Sequence, residues 1–347
     1  MDSWNRMERR AFVKTAALAA GSLSAADVVR AAALPAEVKI GLYSITYGGV
    51  WYSGGALTVE QVIGRAKKFG YQGVEIDGKR PHGNPLDLPK ARCQQLRKLA
   101  ADQGLEIYAV AANNDFSSPI PEHREAQLVY LRELLRMTAD LGAKLVRVFL
   151  AWPGVTLLPA GGGRYDFARA VWNEEHKDSS AEQTWAWCHE GLAEASKLAG
   201  DFGVTLALQN HPPVIDKGYV DVLRMVKQVS SPHLKVCFDA RLEHGLNEAG
   251  VRKAVNEVGA LQTLWHYGGE YDRGPGGITV KGDEKALAEM LGLLDIGYRG
   301  YAGFELCHPL PVVNGKTVGI DFVDKNAQLA AEYMRGILAE AKKQHSS

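Results

Sequence analysis

The sequence lacks any imbalance of charge: 40 Lys and Arg stand against 40 Asp and Glu in 347 residues. A nucleic-acid partner needs a basic excess or a basic stripe, so that class is excluded. Cysteine is scarce. Cys93, Cys188, Cys237 and Cys307 lie far apart with no CxxC pair, which reads as buried thiols rather than a redox or zinc motif. The first strand–helix turn has no GxGxxG, and no phosphate cradle is visible. No linker rich in Pro, Gly or Ser divides the chain, so a single domain is expected after the N-terminus. No segment beyond the N-terminus is apolar for long enough to cross a bilayer. What remains is an ordinary globular composition, 46% hydrophobic and 23% charged, long enough for one large α/β domain.

The N-terminus reads MERRAFVKTAALAAGSLSAADVVRAAALPAEV. Arg9-Arg10 precede Phe12 and a small apolar stretch from Ala16 to Ala26, and Ala-rich segments near Ala31–Ala36 offer cleavage sites. The pattern resembles the twin-arginine export signal. Residues 1–36 are therefore expected to be a cleaved signal, residues 37–347 the folded domain, and the location periplasmic.

From Val38 onward, strand and helix patterns alternate. The strands are KIGLYSITYG, GVEID, EIYAVAA, LVRVFLAW, TLALQN, LKVCFDA, LQTLWHY and YAGFELC. Between them run amphipathic stretches with helix signals, such as Thr58 as N-cap of TVEQVIGRAKKFGY and Gly104 at the end of LPKARCQQLRKLAADQG. Eight strands and eight helices in strict alternation predict a closed (β/α)8 TIM barrel rather than an open doubly wound sheet. The longest loops, Pro153 to Ser180 and Tyr267 to Gly282, both follow strands and so belong to the active face. GYQGVEI and GYRGYAGFE echo each other around Glu75 and Glu305, which reads as repeated helix-to-strand turn chemistry.

Four of these strands end in residues able to bind a metal: Gln209, Asp239, His266 and Glu305. Parallel strands point the same way, so the four side chains emerge at one edge of the barrel. A mixed set of imidazole, carboxylate and amide oxygen suits one divalent ion such as Mn²⁺, Co²⁺, Zn²⁺ or Mg²⁺.

From about Lys39 to Lys343 the chain resembles the sugar phosphate isomerase/epimerase family, the xylose isomerase-like barrels. The resemblance rests on the strand-five position followed by Asn210-His211, the Phe238-Asp239 pair, His266 before a Gly-rich loop, and the GYRG…Glu305 run. It implies a ligand set of Glu, Asp, His and Glu, which falls on Gln209, Asp239, His266 and Glu305. Gln209 departs from that set. An amide can give its oxygen to a metal but is no useful base. The two-base epimerases of the family use the first and last Glu on opposite faces of the substrate carbon. Here only Glu305 is a carboxylate, which favours a one-base reaction.

The expected function is a metal-dependent sugar isomerase or epimerase, in which Glu305 removes a proton next to a carbonyl. A lyase, dehydratase or 3-keto-glycoside-cleaving enzyme would use the same first step, and a non-catalytic sugar-binding barrel is the reading from another class. His211 and Glu270 are further candidate bases. Glu75, Asn113, Trp152, His244 and Arg273 are candidate substrate contacts. Arg147, inside strand four, reads as a buried ion-pair partner. The expected partners are a sugar or keto-sugar and the twin-arginine export machinery, with no nucleic acid and with homo-oligomerisation left open.

Overall fold

Successive side chains of a strand point to opposite faces, and closing a parallel sheet sends one set to the axis and the other to the helices. The computed structural model describes residues 36–158, 162–211, 215, 217–243, 245–281 and 285–346. The expected export segment and His244 lie outside the described residues.

Eight strands form the barrel: β1 (Glu37–Tyr43), β2 (Gly73–Asp77), β3 (Glu106–Ala111), β4 (Leu145–Val148), β5 (Thr205–Gln209), β6 (Leu234–Phe238), β7 (Gln262–Gly268) and β8 (Arg299–Glu305). They close in the order β1-β8-β7-β6-β5-β4-β3-β2, and every neighbouring pair is parallel. The predicted (β/α)8 barrel is what forms. Around it lie α1 (Val59–Phe69), α2 (Lys90–Asp102), α3 (Pro121–Leu141), α4 (Asp166–Glu175), α5 (Ala181–Asp201), α6 (Tyr219–Val229), α7 (Glu248–Val258), α8 (Ala286–Asp295) and α9 (Ile320–His345).

Local sequence sets the helix ends. Thr58 caps α1 and Ser180 caps α5, each in a reciprocal box with Gln61 or Gln183, which satisfies backbone N–H groups the helix leaves orphaned. Gly70 and Gly297 adopt φ of 78° and 64°, so the echo between the two GYxG segments is shared turn chemistry. The two long loops carry more structure than the sequence suggested. Residues 153–180 contain a small ladder, Thr156–Leu157 against Gly163–Arg164, followed by α4. Residues 270–281 form an antiparallel hairpin, 270–274 against 277–281. The four cysteines form no disulfide, and Cys93, Cys188 and Cys237 are buried.

The outward-facing side chains, such as Ile40, Leu42, Val74, Ile76, Leu206 and Leu208, belong to the main core with the helices. The axis holds a separate cluster of Tyr108, Ala109, Ala207, Cys237, Leu264 and Tyr301. Tyr108 and Tyr301 stack with ring centroids 4.0 Å apart. Three glycines make room for Tyr108. A Cβ at Gly41 would lie 2.7 Å from its Cζ, one at Gly73 would lie 2.9 Å from its Cδ1, and one at Gly303 would lie 2.6 Å from its Oη. The Tyr108 ring thus forms a floor beneath the C-terminal ends of the strands.

That floor can be tested by overpacking. Gly41→Val is expected to lower stability by roughly 1–3 kcal/mol, because a tightly packed axis must shift to admit it. Urea unfolding checks this, and an unchanged midpoint would show that Tyr108 is free to move.

Candidate active site

Midway along the barrel the inward positions, such as Gly41, Ala207, Cys237, Leu264 and Gly303, are apolar or Gly, but near the C-terminal ends of the strands they become ionic. Glu75 (β2), Arg147 (β4), Gln209 (β5), His266 (β7) and Glu305 (β8) are all at most 3% exposed, and so is Asp239, one residue past β6. Six buried polar groups in one place must satisfy one another.

Arg147 is one organiser. Its Nε donates to Glu75 Oε1 at 2.9 Å and its Nη1 to Gln209 Oε1 at 2.6 Å. Its guanidinium also faces the rings of Tyr43 and Phe149, 4.8 and 5.1 Å from their centroids, a favourable setting for a buried cation. The other carboxylate oxygen of Glu75 meets His266 Nε2 at 2.6 Å. Arg241 is the second organiser. Its Nη2 lies 3.1 Å from both Asp239 Oδ2 and Glu305 Oε1. Asn210 fixes the backbone of Asp239 through two hydrogen bonds, donating from Nδ2 to the carbonyl and accepting from the N–H at Oδ1.

The charges shift one another's titration. Burial alone would raise Glu305, but His266, Arg241 and Arg147 hold it well below the usual carboxylate range. Glu75 is likewise lowered: His266 and Arg147 overcome its burial. Burial would lower His266, yet Glu75 and Glu305 lift it to about 9. For His211 burial outweighs the opposing pull of Glu305. Burial pushes it down to about 3, so its imidazole is neutral at ordinary pH.

Above this cluster lies a narrow cleft with a cavity volume of about 30 Å³ in this structure. Its wall includes Glu305, Arg147, His211, Asn113, Trp152 and Tyr165. Trp152 stacks on Phe149, with centroids 5.2 Å apart, and meets His211 edge-on. Tyr165, just past the small ladder after β4, donates to the Cys307 carbonyl at 2.7 Å and packs on Trp51. The excursion after β4 is thereby tied to the chain just beyond β8.

Of the residues singled out from sequence, Gln209, Asp239, His266, Glu305 and Glu75 are brought together. His211, Asn113 and Trp152 line the cleft. Glu270 and Arg273 do neither. The Glu270 carboxylate faces His308 Nε2 at 3.3 Å, and the exposed Arg273 pairs with Glu332 of α9. Both sit on the hairpin after β7, which turns them away from the cleft. Arg241 was not anticipated. It follows Asp239 in a short 3-10 turn, where neither strand nor helix periodicity indicates its direction.

The donor set can be tested against a divalent ion. His266 suits one: its Nε2 is fixed by Glu75, and its Nδ1, 3.5 Å from Glu305 Oε2, has no hydrogen-bond partner. The other three positions do not. Arginine only donates, so the Gln209 oxygen is committed to Arg147 and its amide nitrogen faces Asp239 Oδ2 at 3.4 Å. Asp239 and Glu305 already share the Arg241 guanidinium. Among the described residues, no three His, Cys, Asp or Glu side chains converge as a metal site would require. As arranged, the four residues do not fit a divalent ion.

The comparisons with known proteins agree with the fold. No curated protein matches the sequence. Among solved structures, a D-psicose 3-epimerase determined in the presence of D-fructose aligns with a TM-score of 0.65 at 19% identity, covering 86% of this chain and 99% of that one. An L-ribulose 3-epimerase aligns with a TM-score of 0.64 at 18% identity, covering 89% and 97%. A 3-keto-D-glucoside 4-epimerase from E. coli, in its apo form, aligns with a TM-score of 0.59 at 17% identity, covering 88% and 100%. These structural neighbours are sugar epimerases. The sequence profile of the xylose isomerase-like TIM barrels matches residues 63–271, and with its closed eight-stranded barrel the chain belongs to that family.

Proposed function

We propose that this protein is a sugar or keto-sugar isomerase or epimerase that works by proton transfer next to a carbonyl. The observation that carries this reading is Glu305, an ionised carboxylate in the wall of an aromatic-lined cleft beside the buried cation Arg147. Glu305 takes the proton from the carbon next to the carbonyl. The electron pair moves onto the carbonyl oxygen, and Arg147 stabilises the enediolate that forms. His211, a neutral imidazole on the same wall, passes a proton between the two oxygens of the enediol. Return of the carbon-derived proton by Glu305 to the adjacent carbon completes an aldose–ketose isomerisation; an epimerisation would instead take a proton from water on the opposite face of the same carbon while Glu305 gives its own to solvent. Trp152 offers a flat apolar surface to a sugar ring, and Asn113 a hydrogen bond. The neighbouring epimerases of ketoses and of a keto-glucoside support the substrate class.

A second cleft favours one alternative. It shares Trp152 and Val155 with the first and continues past Asp115, Phe167 and Trp172. A 3-keto-glycoside would place its sugar against Glu305 and its aglycone there. After the same proton abstraction, departure of the group on the β carbon would make the enzyme a lyase.

Deuterium wash-in tests the common step. Ketoses and 3-keto-glycosides incubated in D₂O are expected to gain deuterium next to the carbonyl. Glu305→Gln should lose this by roughly 10²–10⁴-fold, the usual contribution of a positioned base. Wash-in that survives Glu305→Gln would remove Glu305 as the base, and aglycone release would select the lyase.

We also propose that residues 1–36 direct export through the twin-arginine pathway, on the Arg9-Arg10-Ala-Phe pattern. Replacing both arginines by lysine is expected to retain the full-length chain in the cytoplasm. Unimpaired processing and export in cell fractions would overturn the assignment.

A further inference from the structure

Building on the proton-transfer reading above, we infer that Arg241 takes the place of a divalent ion at this centre, and that the chain holds Asp239 and Glu305 together without a metal. Three independent features support it.

The first is the bridge itself. One guanidinium nitrogen, Nη2, lies 3.1 Å from a carboxylate oxygen of each residue. A zinc-like ion would need those oxygens at about 2.0–2.2 Å, so the ion and Nη2 compete for the same position. Arg241 is held there by more than one contact. Its backbone N–H and its Nε also point at Asp239 Oδ1, at 3.1 and 3.4 Å.

The second is the seat. Gly268 ends β7 beneath the guanidinium. A Cβ at that position would lie 2.7 Å from Arg241 Cζ and 2.7 Å from the Glu305 carbonyl oxygen. The Gly268 φ lies outside the left-handed region, so its backbone conformation does not demand glycine. The space it leaves is filled by Arg241.

The third is Gln209. A carboxylate at this position would stand against Asp239, and two carboxylates so close need a cation between them or a shared proton. The amide needs neither. It accepts from Arg147 through its oxygen and presents its NH₂ to Asp239. Gln209 removes an anion that a metal would have neutralised, and Arg241 supplies a cation where the metal would have stood. The two changes are chemically complementary.

The consequence for the reaction is specific. A guanidinium cannot take a substrate oxygen into a coordination shell, so polarisation of the carbonyl falls to hydrogen bonds from Arg147 and its neighbours. Such donors are directional and always charged.

The test uses Mn²⁺, Co²⁺ and Zn²⁺ alone as probes of the purified full chain. After chelator treatment, each ion is added, excess is removed, and bound metal is counted by ICP-MS beside a thermal melt. The unmodified chain is expected to retain far less than a stoichiometric amount, with a melting temperature indifferent to either metal or chelator. Arg241→Ala combined with Gln209→Glu is expected to bind Co²⁺ stoichiometrically. Its affinity should rise on the order of 10–100-fold or more, and its melting temperature should climb with Co²⁺ as binding to the folded state requires. Stoichiometric metal in the unmodified chain, or a melting temperature raised by any of the three ions, overturns the inference; this holds even where the double variant does not fold. The two readings fail separately. Metal uptake with deuterium wash-in sinks this inference and leaves the proton transfer standing. No metal and no wash-in on any keto-sugar does the reverse.

Discussion

The constraint on which the catalytic end depends is the burial of three carboxylates, Glu75, Asp239 and Glu305, in one barrel mouth. Buried charges of one sign are costly alone, and together they repel. Arg147, His266 and Arg241 are the groups that make their burial tolerable, and each touches at least one of the three. The network crosses the barrel: β2 to β4 through Glu75 and Arg147, β4 to β5 through Gln209, β2 to β7 through His266, and β6 to β8 through Arg241. Removing one member of a buried pair leaves an uncompensated charge, typically costing about 3–5 kcal/mol. The same contacts that prepare the site therefore also fix the relative positions of the strands that carry it.

How much of this was legible from sequence follows from where each residue sits. Gln209, Asp239, His266 and Glu305 were readable because parallel strands share a direction. A polar residue ending an apolar run has one place to go. Glu75 was readable for the same reason, and Arg147 as a charge in mid-strand that demanded a partner. The barrel followed from counting alternations. Glu270 and Arg273 look alike in sequence, lying in a Gly-rich stretch right after β7. Their direction depends on hairpin pairing and on Glu332 of α9, both long-range facts. Arg241 escaped for a different reason: it lies in a 3-10 turn, where no periodicity gives its direction. Local pattern identifies strand-end residues well and turn residues poorly, and the residue that sets the character of this site is of the second kind.

The Gln209 substitution shows why a motif should be read through its neighbours. Taken alone, an amide in place of a carboxylate suggests a weakened metal site. Taken with Arg147 and Asp239, it is a connector with one accepting and one donating end, each matched to its partner. A carboxylate can accept from Arg147 but has nothing to offer Asp239 unless protonated. The substitution is thus consistent with the rest of the network, and it leaves that position without a carboxylate base. In the reaction proposed above Glu305 is the base, and His211, neutral through burial, is suited to moving protons between oxygens rather than drawing one from carbon.

Access to the site runs through the excursion after β4. Tyr165 reaches the Cys307 carbonyl just beyond Glu305, and Trp51 packs on the Tyr165 ring. Trp152, from the same excursion, forms a wall shared by both clefts. The segment that covers Glu305 and the segment that would seat an aglycone are therefore continuous. In the 3-keto-glycoside reading proposed above, the aglycone would contact this segment in the second cleft. In the proposed reaction, binding energy from a remote aglycone would help to exclude water from the reacting carbon, and a small sugar has no such contribution to make. On that proposed reading, substrate length as well as sugar stereochemistry would determine turnover.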